Sequence, residues 1–309
     1  MTFQETYHAL IVRLLDDAVS EVNARTNHTI RALPGGVSFE IDLSYCLLPV
    51  CGQRKTWPHV SAAELAWCLQ GHNHIDWLRR HTKVWDDFAD VTPCAECGGD
   101  GMTSPVDDDA SSSCRNCGGT GRTYWLEAAY GNRWRNTFGR DQLECGINAL
   151  RRDPSNRRVW ISSWDPSEDR FDDSETGIKQ KTVPCPVGFT LSVMENKLNS
   201  SFMIRSSDVF MGLPHDVMRH SLLMAAVAQD LDVGLGIMRV NLAHPHLYDS
   251  HWTMAANMLE QPIIEPGIIL PPIGTKWIEN NPDKYVETMK ECAKYAQWPA
   301  YAPKCEVIK

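Results

Sequence analysis

The 309 residues carry a formal net charge of −9, with 43% hydrophobic and 22% charged residues, the composition of a soluble globular protein of one large domain or two ordinary ones. This acidic balance excludes broad binding to nucleic acid or anionic membrane, because phosphate backbones select for a basic field; any phosphate must meet a local cluster of arginines. No stretch approaches the roughly 20 apolar residues of a membrane span, and the opening MTFQETYHALIVRLLDD places acids where an export signal carries basic charge, so a cytoplasmic location is expected.

In chain order, Leu10, Ile11, Leu14, Leu15, Val19 and Val22 recur at helical spacing and predict an amphipathic helix over Tyr7 to Val22. Arg25 to Leu43 reads as loop and strands turning at Pro34-Gly35-Gly36, with Val37, Phe39, Ile41 and Leu43 alternating onto one face. A second helix is expected from Ser61, where Ser61-Ala62-Ala63-Glu64 fits a capping box in which Glu64 bonds back to the backbone. Residues 91–123 exchange apolar periodicity for Gly, Ser, Asp and Cys and read as an inserted module within a catalytic domain spanning 1–309. Beyond it, Arg158 to Trp164 and Val187 to Val193 read as strands, and Asp216 to Leu231 as a long helix. Strands and helices mix without regular βαβ alternation, which favours an α+β fold over a doubly wound one.

Eleven cysteines in a long chain without an export signal point to metal and thiol chemistry rather than a disulfide framework. Cys94-x-x-Cys97 and Cys114-x-x-Cys117 are sixteen residues apart, and each continues alike, as CAECGGDG and CRNCGGTG. Four thiolates close a tetrahedral zinc shell, and the following glycines let backbone N–H groups turn toward the sulfurs. The pattern resembles the CxxCxGxG knuckles of the Hsp40 chaperone zinc domain over some thirty residues; a closed four-cysteine shell leaves no open coordination site, so a structural staple is the expected role, with partner or nucleic-acid binding and redox activity as the alternatives.

The segment RSSDVFMGLPHDVMRHSLL, from Arg205 to Leu223, closely resembles the thymidylate synthase signature RSxDxxLGxPFNIxxxxLL. Further matches follow in that family's order: RTNHT at Arg25, ELAWCLQG at Glu64, VWDDFAD at Val84, YGNRWR at Tyr130, DPSNRRVWISSWDP at Asp153, VPC ending at Cys185, and HLYDSH at His246. The resemblance implies a mixed sheet flanked by helices, a homodimer with shared active sites, a nucleotide monophosphate substrate and 5,10-methylenetetrahydrofolate as co-substrate.

It also implies roles. Cys185 matches the thiolate that adds to C6 of the pyrimidine and builds carbanion character at C5. Arg25, Arg205 and Ser206 match phosphate ligands of one subunit, and Arg157 and Arg158 match those supplied by the other; guanidinium forks suit a phosphate dianion. Glu64 matches a carboxylate that organises proton transfers. Tyr130 and Asp208 match positions near the nucleophile and the folate pterin, Trp85 one lining the folate side, and His246 and Tyr248 a pair bonding the sugar hydroxyl.

One departure bears on the base. Asp216 stands where uracil-specific synthases carry asparagine, whose amide accepts from N3–H and donates to O4. Cytosine reverses that edge, and a carboxyl accepts from its amine and shares a proton with N3. The same replacement is found in phage deoxycytidylate hydroxymethylases and a ribocytidylate relative, so the resemblance implies hydroxymethylation of dCMP in viral nucleotide metabolism, with reductive methylation of dCMP and action on dUMP or CMP as alternatives; a helix N-cap is the competing structural role for Asp216. Pro186, Ile204, His215 and His244 also replace the family's histidine, glutamine, phenylalanine and aspartate, and the tail WPAYAPKCEVIK aligns poorly with the segment that seals the folate site.

Overall fold

The computed structural model describes the chain apart from residues 1, 104–111, 115, 116, 118, 173, 175, 176, 178, 179, 182, 305–307 and 309, so part of the C-terminal tail lies outside the described residues. The first part runs α1 (Phe3–Asp16), β1 (Val19–Asn23), β2 (His28–Ala32), β3 (Val37–Asp42) and α2 (Pro58–Gln70). The insertion contributes β4 (Asp90–Pro93), β5 (Met102–Thr103), β6 (Ser112–Ser113) and β7 (Arg122–Trp125). After it come α3 (Tyr130–Asn132), α4 (Gln142–Arg152), β8 (Trp160–Ser162), β9 (Pro186–Met194), β10 (Lys197–Ile204), β11 (Ser207–Asp208), α5 (Leu213–Leu231), β12 (Gly234–Leu242), β13 (Pro245–Tyr248), α6 (Asp249–Leu259), α7 (Thr275–Asn280) and α8 (Pro282–Ala293).

The first helix is shorter than its periodicity predicts. Thr2 and Glu5 form a capping box at its start, and it ends at Asp16, so Val19 and Val22 belong to exposed β1 instead. An i, i+3 apolar spacing continued into a strand by chance, and pairing with β2 decided the matter.

Five strands form a mixed sheet in the order β3-β12-β10-β9-β8, parallel between β10 and β12 and antiparallel elsewhere. Four more form a second sheet, β1-β2-β13-β11. Along β10, Leu198, Ser200, Phe202 and Ile204 point into the core while the alternate residues stay more exposed, the period-two pattern of a sheet with one face packed on helices. α5 lies on that packed face, buried from Val217 to Ala228, and sits against α2. This α+β arrangement is the one expected. Gly36, at φ +75°, turns the chain where a Cβ would meet Leu242 O at 2.3 Å, so only glycine fits the bend into β3.

The insertion is pinned at its neck by the β4–β7 ladder, from Asp90↔Trp125 to Pro93↔Arg122. Inside it, Cys94, Cys97, Cys114 and Cys117 bring their sulfurs within 4.8 Å of one another, with Cys94–Cys114 and Cys97–Cys117 both at 3.8 Å. Tetrahedral thiolates about 2.3 Å from a zinc ion stand about 3.8 Å apart, so the donor set and its spacing fit that metal. The two knuckles are built alike: Gly101 N donates to Cys97 Sγ at 3.3 Å and Gly121 N to Cys117 Sγ at 3.2 Å, as the glycine pattern predicts. Among the described residues, the buried cluster of this module consists of these cysteines, with no aliphatic side chain in it.

The sheet and helices position the chemistry through close backbone approach. Gly131, beside Tyr130, lies against α2 so tightly that a Cβ would meet Cys68 O at 2.2 Å and Cys68 Cα at 2.3 Å. Gly131→Ala is therefore expected to cost at least about 1–3 kcal/mol, because two backbones must part; urea denaturation measures it, and a loss below about 0.5 kcal/mol would show that α2 and α3 separate freely.

Candidate active site

Cys185 sits at the entrance to β9, and the β9–β10 ladder sets it beside Arg205. Arg205 N donates to Cys185 O at 2.9 Å, while its guanidinium donates to Pro184 O at 2.8 Å and to Val183 O at 3.1 Å. Burial raises the Cys185 thiol above its usual range, Arg205 and Arg25 pull it down, and Asp216 and Asp208 oppose ionisation. Two arginines and two carboxylates thus act on this thiol in opposite directions, and the arginines do not by themselves make it a thiolate.

Behind Cys185 lies a polar cluster joining α2 to α5. Arg219, 4% exposed, donates through Nη1 to Glu64 Oε2 at 3.3 Å and through Nη2 to Asp216 Oδ1 at 2.7 Å. Trp85 Nε1 donates to the other Glu64 oxygen at 3.0 Å. Tyr130 closes the group: the Arg219 guanidinium stands 5.0 Å over its ring and Trp85 packs edge-on at 5.8 Å. Burial holds the Tyr130 phenol well above its ordinary range, so it is a neutral hydroxyl against Cys185. Burial likewise raises Asp216 to about 6; Arg219 pulls it down and Glu64 pushes it up.

Two expectations from local pattern are corrected here. Glu64 does not close a capping box, because α2 begins at Pro58 and Ser61 Oγ instead lies 3.1 Å from His215 Nδ1. Asp216 is not an N-cap: α5 starts at Leu213, three residues earlier than its sequence periodicity implies, and the carboxylate turns to Arg219 one turn on. Arg219 itself falls on an undefined position of the signature and is missed by motif matching. Its i, i+3 spacing from Asp216 is the signal that marks it.

The opposite wall comes from the second sheet. His246 and Tyr248 lie on β13 with rings 5.0 Å apart; burial raises the Tyr248 phenol, and the Arg25 side chain from the β1–β2 turn acts to lower it. Asp208 Oδ1 accepts from Phe210 N at 3.1 Å and Met211 N at 3.0 Å, which fixes the turn into α5. Ser206 follows Arg205 and is half-buried. Arg157 and Arg158 are exposed on the loop before β8 and bond none of these side chains among the described residues. The segment after β8 is anchored by the buried Arg133–Asp169 pair, whose two bonds measure 3.0 and 2.9 Å.

Of the other departures, His215 is neutral, driven by burial down to about 3, while His244 stays exposed beside Glu21 at 3.6 Å. Pro186 and Ile204 face each other where the β9–β10 register shifts.

A buried thiol, a carboxylate cluster and arginines are gathered at one end of a mixed sheet, the arrangement of a transferase site. The thymidylate synthase family model matches residues 5–287, and the chain belongs to that family. It is 26% identical over 308 residues to a thymidylate synthase of Mycoplasma mobile, covering 98% of this chain and all of that protein. The family's reaction is folate-dependent transfer of a one-carbon unit to C5 of a pyrimidine nucleotide.

The raised Asp216 group carries a stability signature. An unfolded aspartate ionises near 3.9, so folding favours its protonated form; that contribution is complete below about pH 4 and is lost as pH rises through about 6. Asp216→Asn removes this loss. Its stability relative to the natural chain is expected to improve by on the order of 3 kcal/mol from pH 4 to pH 7, measured by urea denaturation at both; a pH-independent difference would mean that Asp216 is solvated.

Proposed function

We propose that this enzyme transfers a one-carbon unit from 5,10-methylenetetrahydrofolate to C5 of dCMP and releases 5-hydroxymethyl-dCMP. The observation that carries this reading is a carboxyl, not an amide, at residue 216, with Oδ1 held by Arg219 and Oδ2 bonded by no side chain among the described residues. An oxygen acceptor in that place complements the C4 amine of cytosine and opposes O4 of uracil.

Cys185 acts as the nucleophile at C6, so that C5 gains the electron density needed to take up the one-carbon unit. Glu64 moves protons at the base through its ordered surroundings, and Tyr130 supports the reacting face beside Cys185. Arg25, Arg205 and Ser206 hold the phosphate, joined by Arg157 of the partner subunit and Arg158 of the partner subunit in a homodimer; the exposure of that loop in one chain supports this sharing. His246 and Tyr248 take the sugar hydroxyl, while Trp85 and Asp208 border the folate. After the folate departs, water adds to the exocyclic methylene, and loss of the Cys185 thiolate restores the ring.

Incubation with methylenetetrahydrofolate and a mixture of dCMP, CMP and dUMP, read by mass spectrometry, is expected to show a CH2O gain on dCMP that Cys185→Ser abolishes. A CH2 gain with dihydrofolate would instead make the enzyme a reductive methyltransferase. Modification of dUMP alone would overturn the reading of Asp216.

The four-cysteine cluster is proposed to hold a structural zinc ion that replaces the missing apolar core of the insertion. About one equivalent of zinc per chain is expected on acid release. Cys114→Ser should lose it and expose the insertion to limited proteolysis; zinc content unchanged in that variant would reject the assignment.

A further inference from the structure

Arg219 is the one charged group of the cluster that the proposed mechanism leaves without a part. It reaches both carboxylates with separate nitrogens, 3.3 Å to Glu64 and 2.7 Å to Asp216, from a side chain almost wholly buried. Its contribution to binding the two helices together does not require this fork, since α2 and α5 already pack against each other within one apolar core. A buried ion triad is a costly way to add stability, because desolvation consumes most of the Coulombic gain.

We infer that Arg219 is a positioning residue that determines base specificity, fixing the Asp216 carboxyl so that Oδ2 is presented to the pyrimidine edge as an obligate acceptor. This rests on the cytosine reading given above. The physical argument has two parts. With Oδ1 engaged at 2.7 Å, rotation of the carboxyl is restricted and one oxygen is left for the base. A neutral carboxylic acid would carry a proton able to bond uracil O4, and discrimination would fail; burial favours that neutral form, and the Arg219 guanidinium is the neighbour that opposes it. Two carboxylates around one guanidinium also leave the cluster a net charge of −1, which favours a base that brings a donor amine over one that brings a carbonyl.

A lysine at 219 keeps the charge but offers a single ammonium for two carboxylates, so it separates charge from geometry. The test measures kcat and KM for dCMP and for dUMP with the purified full-length natural enzyme, Arg219→Met and Arg219→Lys. The ratio of kcat/KM for dCMP over that for dUMP is expected to fall at least tenfold in Arg219→Met, with Arg219→Lys recovering part of the ratio. Loss of both activities by the same factor, or a Met variant with the natural ratio, would overturn the inference and leave Arg219 a structural ion pair. If Arg219→Met does not fold, the lysine variant decides by the same ratio: an unchanged ratio rejects the forked geometry as the determinant. Failure of the cytosine reading is separable, because it shows as the natural enzyme turning over dUMP and not dCMP before any variant is compared.

Discussion

A guanidinium held between two carboxylates, almost out of contact with water, is the constraint around which this molecule is arranged. Such a group is stable only where every partner is in place, and removing one partner of a buried pair typically costs about 3–5 kcal/mol. Glu64 must come from the middle of α2, Asp216 and Arg219 from the first turns of α5, and Trp85 from the segment leading to the insertion. The close contact of Gly131 with Cys68 serves the same end, since it lets Tyr130 lie over the Arg219 guanidinium. Core packing thus sets the position of the polar cluster to within hydrogen-bond tolerance, and the polar cluster in turn fixes how α2 and α5 meet.

The Cys185 thiol depends on a different part of the frame. Cys185 and Arg205 are separated by twenty positions in the chain, and the antiparallel β9–β10 hairpin makes them neighbours. Burial disfavours the thiolate, and the arginines that oppose this effect arrive from the β1–β2 turn and the end of β10. Arg157 and Arg158 are exposed on the loop before β8 and add no charge that bears on this thiol in a single chain.

The insertion is joined to the catalytic body by a short ladder and is organised around sulfur instead of apolar side chains. Its two knuckles repeat one another bond for bond, each with a glycine N–H aimed at a cysteine. This is a local solution to a small volume: a segment with too few apolar residues to exclude water replaces a core by ligands.

Much was legible in the sequence because it depends on residue type and spacing alone. The four-cysteine cluster follows from CxxC spacing and its glycines, the α5 pattern from its apolar period, the α+β class from irregular alternation, and the family from ordered motifs with Cys185 at their centre. What stayed hidden depends on distance across the fold. Val19 and Val22 match a helical period but pair as a strand, because β2 offers hydrogen bonds that a longer helix forgoes. Glu64 and Asp216 each fit a helix-start motif, yet their carboxylates are 152 positions apart in sequence and meet at Arg219, a contact that no local window contains. Sequence determines which groups are available; the packing of α2 on α5 decides which of them meet, because a buried charge takes the partners that the tertiary fold brings within reach.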